Sequence, residues 1–259
     1  EDPLTLDEHN LFYRLLTVFS HEEMMQHDRN PVIVHRDLYY ESVGLFMARD
    51  SRLYLAVKGG DNDDSHNHND VGSFTIYKDG KPLFIDAGVE TYTKKTFSPD
   101  RYDIWTMQSR YHNLPTFVDH GRETVQQAGE QYCAADVRYE LGETACRISM
   151  DIRQAYPDDR IRSYTREAVL EKEKSITIRD HYEGDGGTAV LSLMFCEKPV
   201  IDQNTIRIGD LAACTVEGAS SITVEEIPVT DERLKTAWKH NLYRCLVTME
   251  AHDLTLTIV

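Results

Sequence analysis

Ser73-Phe74-Thr75-Ile76-Tyr77-Lys78-Asp79-Gly80-Lys81-Pro82-Leu83-Phe84-Ile85-Asp86 is the stretch that decides the fold. β-branched and aromatic residues flank Asp79-Gly80 on both sides, and that dipeptide suits a type I′ turn, whose two central residues both need positive φ. The stretch predicts a β-hairpin. Outward from it the same signature recurs over 32–35, 39–47, 53–57, 130–139, 144–155, 163–170, 175–182, 189–196, 205–208, 213–216, 222–227, 243–250 and 254–258, many of these runs alternating and rich in Val, Ile, Thr and Tyr. Glu183-Gly184-Asp185-Gly186-Gly187 marks a further turn. So many short strands at close spacing predict an all-β chain: a large antiparallel multi-stranded β-sandwich. Only the start departs from this. Thr5-Leu6-Asp7-Glu8 fits a capping box, and Leu11, Phe12, Leu15, Leu16 and Phe19 follow helical spacing, so one N-terminal amphipathic helix is expected, ended by Asn30-Pro31. The expected division is a helical segment over 1–30 and a sandwich over 31–259. The stretch 88–127 lacks clear periodicity, and irregular segments of that length in a compact domain usually carry function.

Length, at 259 residues, allows a substantial core. With 28 basic and 44 acidic residues the formal net charge is −16, the wrong field for nucleic acid. No apolar run approaches the ~20 residues of a membrane span. Glu1-Asp2-Pro3 carries no secretory signature and reads as an internal cut through a longer protein, which leaves open a bacterial cytoplasmic, periplasmic or secreted location. The five cysteines form no CxxC and sit mostly in strand-like runs, which predicts buried free thiols. His21-Glu22-Glu23-Met24-Met25 is not a zinc-protease helix, because its second His is at position 27 and lies off the first one's face.

The densest polar cluster is Asp61-Asn62-Asp63-Asp64-Ser65-His66-Asn67-His68-Asn69-Asp70. An EF-hand reading of its acidic start fails, since the sixth position is His66 instead of Gly. Two imidazoles in His66-x-His68 share a face in extended chain and can converge on one ion. Alone, such a pair is as often a plain surface loop. Asp86 ends an apolar run, where a carboxylate wants a cation or donors or serves as a cap. His112 lies in the irregular stretch, where a structural histidine is the bland alternative. Together His68, Asp86 and His112 would make a His₂Asp site with one open position, which suits Zn²⁺. The hairpin raises a difficulty: in register across Asp79-Gly80, Asp86 faces Ser73, and His68 lies five residues further along on the other face. The ligands meet only if the backbone over 66–72 leaves the ladder, and Gly72 is a plausible place for that.

Three segments resemble the heparinase II/III-like polysaccharide lyases: Ser65-His66-Asn67-His68-Asn69-Asp70-Val71-Gly72-Ser73-Phe74, Gly80-Lys81-Pro82-Leu83-Phe84-Ile85-Asp86-Ala87-Gly88 and Ser109-Arg110-Tyr111-His112-Asn113. The likeness is strong over about 54–117 and looser over the β-rich remainder. It implies an N-terminal α/α toroid on the same protein as partner, with the helical segment as its tail or a linker, and an acidic polysaccharide or oligosaccharide as substrate. The implied reaction is β-elimination on a uronic-acid-containing polymer. It further implies that His66 is catalytic, that His68, Asp86 and His112 bind metal, and that a tyrosine before the last His serves catalysis. Tyr102 is the candidate, with Tyr92 and Tyr111 as alternatives. Groups that neutralise the substrate carboxylate would come from the toroid, so the isolated domain is expected to be nearly inactive. The charge of −16 is unlike a heparin-binding surface and favours a less sulfated polymer such as alginate. A homodimer is compatible with these features. The main alternative is a non-catalytic, metal-stabilised carbohydrate-binding sandwich; an interaction sandwich with an accidental His cluster ranks third.

Overall fold

In a computed structural model, residues 10–27 and 35–259 are described. The chain divides into two compact units, Glu1–His35 and Arg36–Val259. In the first, the expected helix is present but broken in two, Leu11–Phe19 and His21–Gln26, because Ser20 leaves helical geometry at φ −91°, ψ 1°. Its start is capped by Asn10, whose side chain accepts the Phe12 amide. The expected capping box at 5–8, the stop at 30–31 and the strand at 32–35 fall wholly or mostly outside the described residues.

In the second unit every described strand pair is antiparallel, and one short helix, Glu232–Ala237, interrupts the strands beyond the single N-terminal helix expected. The hairpin forms as expected, with Asp79 at φ 51° and Gly80 at φ 74° between strands Phe74–Lys78 and Lys81–Phe84. It lies at the edge of a five-stranded sheet completed by Leu38–Tyr40, Leu45–Arg49 and Leu53–Lys58. The single strand expected over 39–47 is therefore a hairpin. Gly44 turns it at φ 62°, where a Cβ would fall 2.3 Å from the Gly60 amide nitrogen. An eight-stranded sheet is centred on the long pair Ile161–Glu171 and Ser175–Gly184, and a second five-stranded sheet on Thr188–Phe195 and Leu242–Met249. The Ile85 amide donates to the Met194 carbonyl and brings the two five-stranded sheets together. A fourth sheet is the two-stranded pair Asp61–Asn62 and Gly129–Cys133. The three larger sheets share one core, in which inward residues such as Leu55, Ile76, Ile178 and Leu256 alternate with outward ones. Each fully buried side chain of this size contributes about 1.5–3 kcal/mol.

The stretch 88–127 holds four single 3₁₀ turns between 95 and 111, followed by strands Pro115–Asp119 and Arg122–Thr124. These strands carry no period-2 signal because the first is buried on both faces over Pro115, Thr116 and Phe117. The five cysteines are free, and Cys146, Cys214 and Cys245 are buried. No described helix is long and apolar enough to cross a membrane.

Candidate metal centre and its rim

After the short strand Asp61–Asn62 the chain leaves the ladder until Phe74. His66 at φ 63° and Gly72 at φ 87° make the two sharp changes of direction. The opposite arm also departs from simple register: Lys78↔Lys81 and Tyr77↔Pro82 pair in sequence, but Ile76 faces Phe84, a bulge that releases Asp86 from the ladder. These two departures let residues from separate arms meet.

Side chains stitch the 61–72 loop into place. The buried Gln126 amide accepts from the Val71 amide and donates to the Val71 carbonyl, and Asn62 donates to the Gln126 side chain. The Asn69 amide donates to the Met107 carbonyl. Arg101 donates twice to the Asn67 carbonyl, at 2.7 and 3.0 Å, and once to Thr96. Lys58 binds Asp70 at 2.9 Å and Asp64 at 3.3 Å. Burial alone would lower its pKa, but these two carboxylates raise it instead. The acidic run is thus partly neutralised from within.

Within this frame His68, Asp86 and His112 offer ligand atoms that all lie within 4.8 Å of one another. His112 is fully buried at 0% exposure, and its Nδ1 is 2.8 Å from Asp86 Oδ2. The His68 and His112 ring centroids are 5.4 Å apart. Burial, reinforced by His112, pushes His68 down to about 4, so its lone pair is free at neutral pH. Burial opposes charge on Asp86, yet the adjacent His112 holds its carboxyl below the usual range; its side chain is 35% exposed, so solvent screens part of that effect. Burial would lower His112 too, but Asp86 raises it. His112 Nε2 is buried without a partner in hydrogen-bonding geometry, although the Thr106 backbone lies close enough to favour the protonated ring. Two imidazoles and one carboxylate with their ligand atoms this close fit a divalent metal of the zinc type.

Behind the cluster, Arg166 and Asp180 face each other across the central pair of strands and are both buried. Arg166 binds Asp180 through Nε and Nη2, at 2.7 and 2.6 Å, and donates from Nη1 to the carbonyls of Gly72 (2.8 Å) and Asn113 (2.7 Å). Tyr164 also donates to Asp180. The Asn113 side chain donates to the carbonyls of Phe74 and Ile85 and accepts the Met194 amide. The residue after His112 and the residue before Asp86 are therefore tied together.

In front, His66 is exposed. Its ring lies nearly parallel to Tyr92, with centroids 5.9 Å apart and the Tyr92 hydroxyl 3.5 Å from Nδ1. The Tyr102 hydroxyl accepts from Asn67 at 3.0 Å and lines a cavity of about 310 Å³ with Gln108 and Arg110. Tyr111 packs edge-on against Trp105 beneath Arg244. Of the three tyrosines left open by sequence, Tyr92 is the one that touches His66. Sequence reading missed Arg166 and Asp180, although a signal existed. Both sit at core-facing parity, Arg166 with Tyr164 and Ala168, Asp180 with Ile178 and Tyr182.

No curated protein sequence matches the chain. Among solved structures it is similar to a heparinase III gene product, with TM-score 0.66 and 16% identity over 96% of this chain and 39% of that one. It is also similar to a heparan sulfate lyase from Pedobacter heparinus (0.64, 17%, 96% and 39%) and to a heparinase III (0.64, 17%, 88% and 37%). At these identities the likeness is one of fold, and the chain spans about two fifths of the length of those structures. The family profile described as heparinase II/III-like, C-terminal, matches residues 34–218, well over half of the sequence. With the three sequence segments gathered around one cluster in this sandwich, the chain belongs to the heparinase II/III-like C-terminal domain family.

Proposed function

We propose that this chain is the sandwich part of a longer polysaccharide lyase that cleaves a uronic-acid-containing polymer by β-elimination. The observation that carries the reading is the division within one tripeptide: His68 turns into a partly buried His–Asp–His cluster, while His66 turns out to solvent beside a tyrosine hydroxyl. In the reaction a base takes the C5 proton next to the carboxylate. The C5–H electron pair becomes the C4–C5 double bond, the C4–O bond breaks with its pair going to the leaving oxygen, and that oxygen takes a proton. His66 handles one of these protons, because an exposed imidazole can reach substrate whereas a ligand's lone pair is committed. Contact with His66 favours Tyr92 as the hydroxyl for the other, and Tyr102 is the alternative. His68, Asp86 and His112 would hold Zn²⁺, which supplies fixed positive charge beneath the rim and stabilises the loop that carries His66. The partner groups that neutralise the substrate carboxylate belong, by family resemblance, to an α/α toroid. A net charge of −16 favours a weakly sulfated polymer.

The test uses the longer protein on alginate and on unsulfated and sulfated heparan fragments. Growth of near-ultraviolet absorbance from a conjugated unsaturated sugar is expected on at least one uronate polymer. Binding without any such product would favour the carbohydrate-binding module instead.

A further inference from the structure

Arg233 is an exposed cation on a strongly acidic chain, and among the described residues no carboxylate pairs with its guanidinium. It lies over the Tyr92 ring, 4.7 Å from the centroid. Tyr92 is also the ring that stacks beside His66. The two contacts keep guanidinium and imidazole within a disaccharide's length of each other. Phe97 meets Tyr92 edge-on at 5.6 Å and is 71% exposed, so its ring presents a free apolar face at the same rim.

The position of Arg233 is built. Asp231 accepts the amides of Arg233 and Leu234 and, across the chain, the amide of Thr91, one residue before Tyr92. Leu234 is buried with Ile85, Ala87 and Met194 in a second apolar cluster. The Trp238 indole donates to the Ala87 carbonyl. Thus the segment that follows Asp86 and the helix Glu232–Ala237 are locked to each other, and Arg233 is aimed at the ring between them. A guanidinium with free donors takes a carboxylate or sulfate through paired hydrogen bonds. An exposed aromatic ring takes the apolar face of a sugar.

We propose that Arg233, Tyr92 and Phe97 form a subsite for one acidic sugar unit adjoining His66, in which Arg233 grips the anionic group and Phe97 the ring face. The inference rests on the lyase reading for its substrate class but not for its geometry. The 259-residue chain, loaded with zinc, would be titrated with an unsulfated uronate-containing tetrasaccharide, its sulfated form and its carboxyl-reduced neutral form. Arg233→Gln should weaken the acidic probes about tenfold or more and leave the neutral one unchanged. Loss on both acidic probes assigns a carboxylate, and loss on the sulfated one alone assigns a sulfate. Phe97→Ala, which changes no charge, should weaken all three. Equal affinities in wild type and Arg233→Gln, or equal losses on acidic and neutral probes, would overturn the subsite. In the longer protein, Arg233→Gln should raise KM more than it lowers kcat. Wild-type protein that yields no unsaturated product yet binds through Arg233 sinks the lyase reading and keeps the subsite. Product formation with an unaltered KM in Arg233→Gln sinks the subsite and keeps the lyase.

Discussion

Two arginines lie against aromatic rings, one bonded to the backbone next to His112 and the other over the tyrosine that stacks on His66. Arg166 sits 5.1 Å from the Phe74 centroid, with a carboxylate and two backbone carbonyls around its donors. Arg233 sits 4.7 Å from the Tyr92 centroid, in solvent and without an anionic partner. The first is satisfied entirely by protein and cannot serve a ligand. Its work is to hold the end of the 61–72 loop and the residue after His112 in one place. The second keeps its donors free where His66 is exposed. Rigid support behind and unspent polar capacity in front is the arrangement that binding and catalysis require of a preorganised site.

Removing the rear support should have the largest effect. Arg166→Met strands the Asp180 charge and unpairs two buried carbonyls, so stability should fall by about 3–5 kcal/mol, read from urea denaturation. A loss near zero would show the buried pair to be dispensable. Asn113→Ala acts closer to the cluster, on the residues beside Asp86 and His112. Zinc affinity should drop roughly 10–100-fold by competitive chelation, the usual scale for groups that orient ligands. An unchanged affinity would mean that the ligands are held without it.

Much of this contrast is visible in the residues themselves. Alternation and Asp79-Gly80 give the hairpin, and the pairing register across it shows that the ligands meet only if the loop leaves the ladder. His66 and Gly72, both at positive φ, are where it does. Tertiary contacts decide the rest. Nothing local separates Tyr92 from Tyr102, because tertiary contacts place each ring: Thr91, beside Tyr92, is held by Asp231, and Tyr102 rides on the 3₁₀ segment Pro99–Asp103. Arg233 is also silent in sequence, since its helix of six residues gains its position only through Asp231 and Leu234. The strand pair across Gly44 is marked only by Glu41-Ser42 and Gly44, a weaker turn signal than Asp79-Gly80, between two β-prone runs.

A pH series sharpens the contrast further. The folded pKa of His68, about 4, lies below its ordinary 6.5. Between those values the unfolded metal-free chain takes a proton that the folded chain refuses, so this group makes stability fall as pH drops through that window. His112, whose pKa is raised, runs the other way: its contribution is present below 6.5 and is lost as pH rises through its folded value. Chelator-treated His68→Gln should therefore lose less stability than wild type between pH 6.5 and 4; equal losses would refute the burial of His68. The smallest effect concerns the rim. His66 holds a left-handed conformation that costs a non-glycine residue on the order of 1 kcal/mol, so His66→Gly should leave stability unchanged or raise it by up to about that amount. A clear loss would place His66 among the structural residues.

The split of roles inside His66-x-His68 is tested most directly by zinc content measured beside turnover for two variants of the longer protein. His66→Ala should keep its zinc and lose turnover by roughly 10²–10⁴-fold, whereas His68→Ala should lose both zinc and thermal stability. If both variants keep zinc, or both lose it, the account of this site is wrong.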